Sequence, residues 1–238
     1  MDDTIKLTLL GDFAFSVGGE PLPAISTDSQ RLLAFLAVED RSVPRARVAR
    51  TLWPECSDER AAVRLRSAVA ELGNAARRAV KISSTDLGLA EGVAVDLRSS
   101  RSLARRLVDR DPRPSRDDLG GSAVAALSND LLPGWYDDWA LIAAAAWHQL
   151  RLHALDAVTA HLTDAGRVAE AAAAALAAVR AEPLRETARI ALIRVRMAEG
   201  NDAEARAEVE RYRALLHDEL GIEPTSRLRK LHSSLEAR

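Results

Sequence analysis

Ten basic side chains fall between residues 41 and 81: Arg41, Arg45, Arg47, Arg50, Arg60, Arg64, Arg66, Arg77, Arg78 and Lys81. Four acids, Glu55, Asp58, Glu59 and Glu71, oppose them, leaving +6 in a chain whose formal net charge is −2. A local cationic patch on a mildly acidic protein is the electrostatic footprint of a surface that meets nucleic acid. Guanidinium groups serve two chemistries there: they neutralise phosphates, and as bidentate donors on a groove-facing helix they read guanine. Arg60, Arg64 and Arg66 suit either role, with Ser67 among them. Asn74 has the donor–acceptor pair that matches adenine, and Glu71 can accept from cytosine N4. Arg77, Arg78 and Lys81 follow a turn later, while Arg45 and Arg47 on the preceding segment suit phosphates. Two plainer readings stay open. The stretch also reads as a solvated, Arg-rich helical surface, and Glu71 as an ordinary surface carboxylate.

These residues need two helices to position them. Pro44 suits a first helical position, and Val48, Ala49 and Leu52 recur at helical spacing before Trp53-Pro54 stops the segment. PECSD reads as a loop, with Asp58 as the N-cap. A second helix is expected from about Glu59 to Arg78. Its apolar face would carry Leu65, Val69, Leu72 and Ala76; Arg60, Arg64, Ser67, Glu71, Asn74 and Arg78 would lie opposite, with Arg66 and Arg77 on the flank. A short helix, a turn and a longer helix with a cationic outer face resemble a helix-turn-helix with its recognition helix.

Around this core the chain alternates. Ile5, Leu7 and Leu9, then Phe13, Phe15 and Val17, read as strands separated by Gly11-Asp12. Pro21 and Pro23 suggest an edge or loop, and a helix with a broad buried face begins at Thr27, with Asp28 and Ser29 in its cap region. Residues 80–83 and 87–90 flank a polar turn, the expected wing of a winged helix, and Val93, Val95 and Leu97 suggest a closing strand near residue 98. Beyond it the pattern is helical: Leu103 to Val108, a proline-rich break DPRPSRDD, a weaker helix from Leu119 to Leu127, and a long helix from about Asp137 to Asp164. Trp135, Tyr136, Trp139 and Trp147 are spaced like a packing cluster. Gly166 and Gly200 open matching segments one 34-residue period apart, the period of tetratricopeptide repeats. Two copies are too few to stand alone, so neighbouring helices must cap them. The expected fold is mostly α, with an N-terminal α+β winged helix-turn-helix at 1–98 followed by an all-α tetratricopeptide-like domain at 99–238.

Composition narrows the function classes. No window approaches eighteen uninterrupted apolar residues, so no membrane association is expected. MDDTIKLTLL lacks the basic start of a signal peptide, and the single Cys56 excludes an internal disulfide, which together point to the cytoplasm. His148, His153, His161, His217 and His232 have no zinc-site spacing, and Gly18-Gly19 and Gly120-Gly121 lack phosphate-loop context. No catalytic residue, metal or cofactor is therefore assigned, and no enzyme is expected.

The order of parts resembles the Streptomyces antibiotic regulatory protein family in its short form. The resemblance rests on LTLLGDFAFSVGGEPL, QRLLAFLAVEDRSVPRARVARTLWPE, ERAAVRLRSAVAEL, VAVDL, DLLPGWYDDW, AEPLRETARIALIRVRMAEGNDAEA and HDELGIEPTSRLRKLH. It implies a response-regulator-type winged helix joined to a bacterial transcriptional activation domain. The partners it implies are double-stranded promoter DNA with repeated half-sites, RNA polymerase, and a second copy of the chain on DNA. The implied role is activation of an antibiotic gene cluster. No receiver or nucleotide-binding domain is recognised, so control by phosphorylation or ATP is not expected. Where the family's recognition helix usually ends in a run like Ser-Arg-Leu-Arg-Arg, this chain has Ala70, Glu71, Leu72, Gly73 and Asn74, and its wing shows Leu87-Gly88-Leu89 in place of Gly-Tyr-x-Leu. The second function class is thus a protein-interaction or ligand-sensing subunit whose winged helix no longer binds DNA.

Overall fold

A computed structural model describes residues 4–21, 25–109 and 114–237; Pro23 and the start of the 111–118 break lie outside them. In chain order the elements are β1 (Ile5–Thr8), β2 (Ala14–Val17), β3 (Glu20–Pro21), α1 (Thr27–Glu39), β4 (Val43–Pro44), α2 (Arg45–Leu52), α3 (Asp58–Ala70) and α4 (Asn74–Arg78). There follow β5 (Val80–Ile82), β6 (Asp86–Leu89), β7 (Ala94–Val95), α5 (Asp96–Val108), α6 (Gly121–Ser128), α7 (Asp138–Asp164), α8 (Val168–Ala181), α9 (Glu186–Ala198), α10 (Asp202–Leu220) and α11 (Ser226–Glu236). They form two compact units: one holds the described residues up to Arg101 together with Asn129–His148, the other Ser102–Ser128 together with the residues from Gln149.

In the first unit a sheet of order β3-β2-β1-β7 pairs Leu7 with Phe15 on one side and Val95 on the other, β7 running parallel to β1. Alternation puts Ile5, Leu7, Phe15 and Val95 inward. The expected closing strand is shorter than Val93–Leu97, because Asp96 ends it. Its carboxylate accepts from Leu9 N at 2.9 Å, Leu10 N at 3.0 Å and Leu97 N at 2.7 Å, which stops the ladder and favours the start of α5. Helix α1 has Leu32, Leu33, Phe35 and Leu36 buried, since it packs against α2, α3 and β6 at once.

The DLLPGWYDDW stretch is stitched to the end of β1. Leu10 bridges Leu131, Gly11 N donates to Asp130 O and Leu132 N to Leu9 O. Trp139 then lies edge-on to Phe35 at 5.4 Å, and Trp135 meets Trp139 at 6.1 Å and Phe13 at 5.9 Å. Tyr136 is not in this cluster; it is 83% exposed.

The second unit repeats its turn chemistry with its sequence. Gly166 N donates to Thr163 O and Arg167 N to Leu162 O; 34 residues on, Gly200 N donates to Met197 O and Asn201 N to Arg196 O. Both glycines have positive φ, as this left-handed helix stop requires. Buried Ala171, Ala174, Ala175 and Ala178 let α8 approach α9 closely. Helix α11 closes the end of the stack, with Leu228 and Leu235 in one cluster with Val209, Tyr212 and Leu216. Helix α6 packs on α8, and buried Arg151 donates to Ser128 O at 2.8 Å, a cation at the α6 carboxyl end.

Candidate nucleic-acid interface

The turn between α2 and α3 is built around Trp53, which is fully buried and donates from Nε1 to Asp28 Oδ1. Both helix starts shift by one residue from those expected. Ser57, not Asp58, caps α3, its Oγ accepting from Arg60 N, while Asp58 occupies the first turn and pairs with Arg50 at 3.0 Å. Pro44 is the N-cap of α2 and belongs to β4, which pairs with β6; Arg45 N donates to Thr85 O.

The expected single helix from Glu59 to Arg78 is two helices. α3 stops at Ala70, Glu71 is its C-cap, and Gly73 is the extended N-cap of α4. Glycine's weak helical preference permits the break, and buried Leu72 and Ala76 anchor both sides of it.

The buried stripe of α3 also differs. It consists of Ala61, Leu65 and Ala68, continued by Leu72, and Val69 is only half-buried. Ser29 Oγ on α1 donates to Ala68 O at 2.9 Å, so the two helices are too close for a large side chain at this position. At about 100° per residue the inward face is thereby rotated roughly 40° from the one centred on Leu65 and Val69. The outward face carries Glu59, Arg60, Val63, Arg66, Ser67 and Ala70, all exposed. Val63 and Ala70 lie on its midline, Arg60 and Ser67 to one side, Arg66 to the other.

Arg64 falls between the faces. Its guanidinium meets both Asp28 oxygens at 3.0 and 3.1 Å, reaches Glu55 at 3.3 Å and stacks over Trp53 at 5.2 Å. Burial works against this cation, and the hydrogen bond with Asp28 leads the effects that more than offset it and raise its pKa. Arg64 thus clasps α3 to α1. Arg41 and Arg47 pair with Glu39, and Arg50 with Asp58. By contrast, the side chains of Arg45, Arg60, Arg66, Arg77 and Lys81 have no ion-pair partner among the described residues. Ser67, Glu71, Asn74 and Arg78 are exposed. The midline residues Val63 and Ala70 escape a reading weighted by hydrophobicity; the signal for them is the Ala61-Leu65-Ala68-Leu72 spacing, once alanine counts as a core residue.

The wing is the hairpin β5–β6, with β4 on its other edge. Ser83 Oγ accepts from Asp86 N at 2.8 Å and fixes the turn, and Lys81 points outward. A Cβ at Gly88 would come within 3.1 Å of Ser42 Oγ and 3.3 Å of Ser42 Cα, so glycine lets β6 pass close to the residue before β4 without displacing it. Among the described residues, no group of three or more His, Cys, Asp or Glu is placed to hold a metal ion, and no helix is long and apolar enough to cross a membrane.

A winged helix with cations turned outward, followed by paired helices in a 34-residue period, is the architecture of a helix-turn-helix transcriptional regulator. Residues 94–236 match the bacterial transcriptional activator domain. The chain is 30% identical to the regulatory protein AfsR of Streptomyces coelicolor over 97% of its own length, while spanning only 24% of that protein. EmbR of Mycobacterium tuberculosis, solved in complex with a low-affinity phosphopeptide, shares the fold with a TM-score of 0.72 at 20% identity, over 98% of this chain and 65% of that one. The chain belongs to the Streptomyces antibiotic regulatory protein family of transcriptional regulators.

Proposed function

We propose that the chain binds duplex promoter DNA with the outer face of α3 and the β5–β6 wing, and activates a secondary-metabolite gene cluster from the cytoplasm. The observation that carries this reading is the division of labour among the arginines. Arg41, Arg47, Arg50 and Arg64 pair with acids of the protein, whereas Arg45, Arg60, Arg66, Arg77 and Lys81 are left to meet an external anion. Five phosphate contacts give an expected log–log salt dependence of roughly −4 to −5 per bound chain, and about twice that for two copies on repeated half-sites. The test is a mobility shift of the full chain with DNA upstream of the neighbouring genes across a salt series. No binding at low ionic strength, or a flat salt dependence, refutes the reading.

The second half of the proposal is that residues from about 99 to 238 contact RNA polymerase. In 99–238 there are 20 basic and 21 acidic residues, so that half has no general attraction to DNA. Helices α7, α9 and α11 line an open groove of about 710 Å³ in which Arg194 and Arg227 are exposed without a side-chain partner among the described residues. Helical repeats commonly receive protein segments on such a surface. The double variant Arg194→Glu with Arg227→Glu should shift DNA normally yet fail to activate a purified polymerase. The same groove supports the second reading, a protein-interaction subunit, which gains if the full chain binds no DNA.

A further inference from the structure

Val63 stands at the centre of the outward face of α3 and is 51% exposed. A lone exposed valine is unremarkable; its position is not. It lies directly opposite the buried stripe of Ala61, Leu65 and Ala68, so it points along the line by which α3 would approach the floor of a groove. Arg60 and Ser67 flank it on one side and Glu59 and Arg66 on the other; on a helix lying in a groove, the flanking cations would be the ones to meet the phosphate walls. A residue on the midline meets base edges, and valine has no hydrogen-bonding group to offer them. The major-groove edge displays one apolar substituent, the C5-methyl of thymine. Ala70, the other midline residue, sits two turns along and roughly 10 Å away, with too short a side chain to reach as far.

We propose that Val63 reads thymine, packing its methyl groups against the C5-methyl of one or two thymines in the bound site and thereby discriminating against cytosine. Base selection by α3 is then apolar at its centre, with the arginines serving mainly as phosphate contacts. This rests on the DNA-binding reading and goes beyond it by naming the base and the residue.

The test uses the full chain and a duplex selected by it from a random pool. Each thymine of that duplex is replaced in turn by deoxyuridine, which lacks only the methyl group, and affinity is measured for the wild type and Val63→Ala. At one or two positions the wild type should bind the deoxyuridine duplex about three- to fivefold more weakly, the change expected for one methyl left unburied. Val63→Ala should bind the thymine and deoxyuridine duplexes equally, with the salt dependence of the wild type. Equal wild-type affinity for every deoxyuridine duplex overturns the proposal, and so does discrimination that survives in Val63→Ala. If no duplex is bound at low salt, the DNA-binding reading falls as well.

Discussion

Replacing Arg64 by alanine separates a clasp from a DNA contact, because the structure gives Arg64 and Arg66 opposite surroundings on one helix. Arg64 makes charged hydrogen bonds to both carboxylate oxygens of Asp28 and a stacking contact with Trp53. Charged hydrogen bonds contribute about 1.5–3 kcal/mol and cation–π contacts about 0.5–2 kcal/mol in favourable settings. The Arg64 and Asp28 side chains are 42% and 28% exposed, so solvent screening reduces the sum to roughly 1–2 kcal/mol. For a unit of this size that corresponds to a fall in melting temperature of roughly 3–12 °C. Arg66, exposed and unpaired, should change stability by less than about 0.5 kcal/mol when replaced by alanine, but lower the salt slope of DNA binding by about 0.9. Calorimetric melts and a salt series, run well below the melting temperature, distinguish the two. If Arg64→Ala melts like the wild type and loses salt slope as Arg66→Ala does, the clasp is incidental and Arg64 belongs to the DNA surface.

Three further outcomes are expected. Trp139→Ala removes the edge contact with Phe35 and should cost the first unit about 3–5 kcal/mol, read as an earlier thermal transition; an unchanged transition would mean that residues 129–148 are not part of its core. Glu71→Arg at the carboxyl end of α3 should tighten binding to unrelated duplexes and steepen the salt slope by about 0.9, and unaltered binding would place this residue away from the groove. Asp118 in the second unit is held below its ordinary pKa, first by the hydrogen bond from Arg106, with burial opposing and Ser115 adding to the effect. Because the folded value is the lower one, its contribution is present above the unfolded value of about 3.9 and lost as pH falls through the folded value. Asp118→Asn should therefore narrow the gap in melting temperature between pH 6 and pH 3, and an unchanged gap would show that the contact carries no pH dependence.

Much of the fold is legible wherever its physics is local. Alternation marks β1 and β2, the polar turn at Ser83–Asp86 marks the wing, and the 34-residue recurrence of Gly166 and Gly200 marks two turns with the same hydrogen bonds. What escapes is set by distant partners. Nothing near Asp96 in the chain announces that its carboxylate will meet the amides of Leu9 and Leu10, so the closing strand is read two residues too far at its carboxyl end. The aromatics at 135, 139 and 147 are recognisable as core residues, but their partners are not. Phe13 and Phe35 lie more than a hundred positions away, and Tyr136, with no such partner, stays in solvent.

The outward face of α3 is the part least legible in the sequence, and for one physical reason. Hydrophobicity ranks valine above alanine, so Val69 looks like core and Ala61 and Ala68 do not. Burial at a helix–helix contact is decided by how near the backbones come, and Ser29 bonding to the carbonyl of Ala68 fixes that distance. Once the small residues face α1, the rest of α3 follows. Arg64 swings to the seam, where Asp28, 36 positions earlier, and Trp53 hold it. Val63 is left on the midline, with unpaired arginines at its sides. The contact that orients the helix therefore turns one arginine away from the outward face of α3 and puts an apolar side chain at its centre. The arginine count of the sequence accordingly overstates how many of them stand unpaired on the outward face of α3 and understates the apolar character of that face.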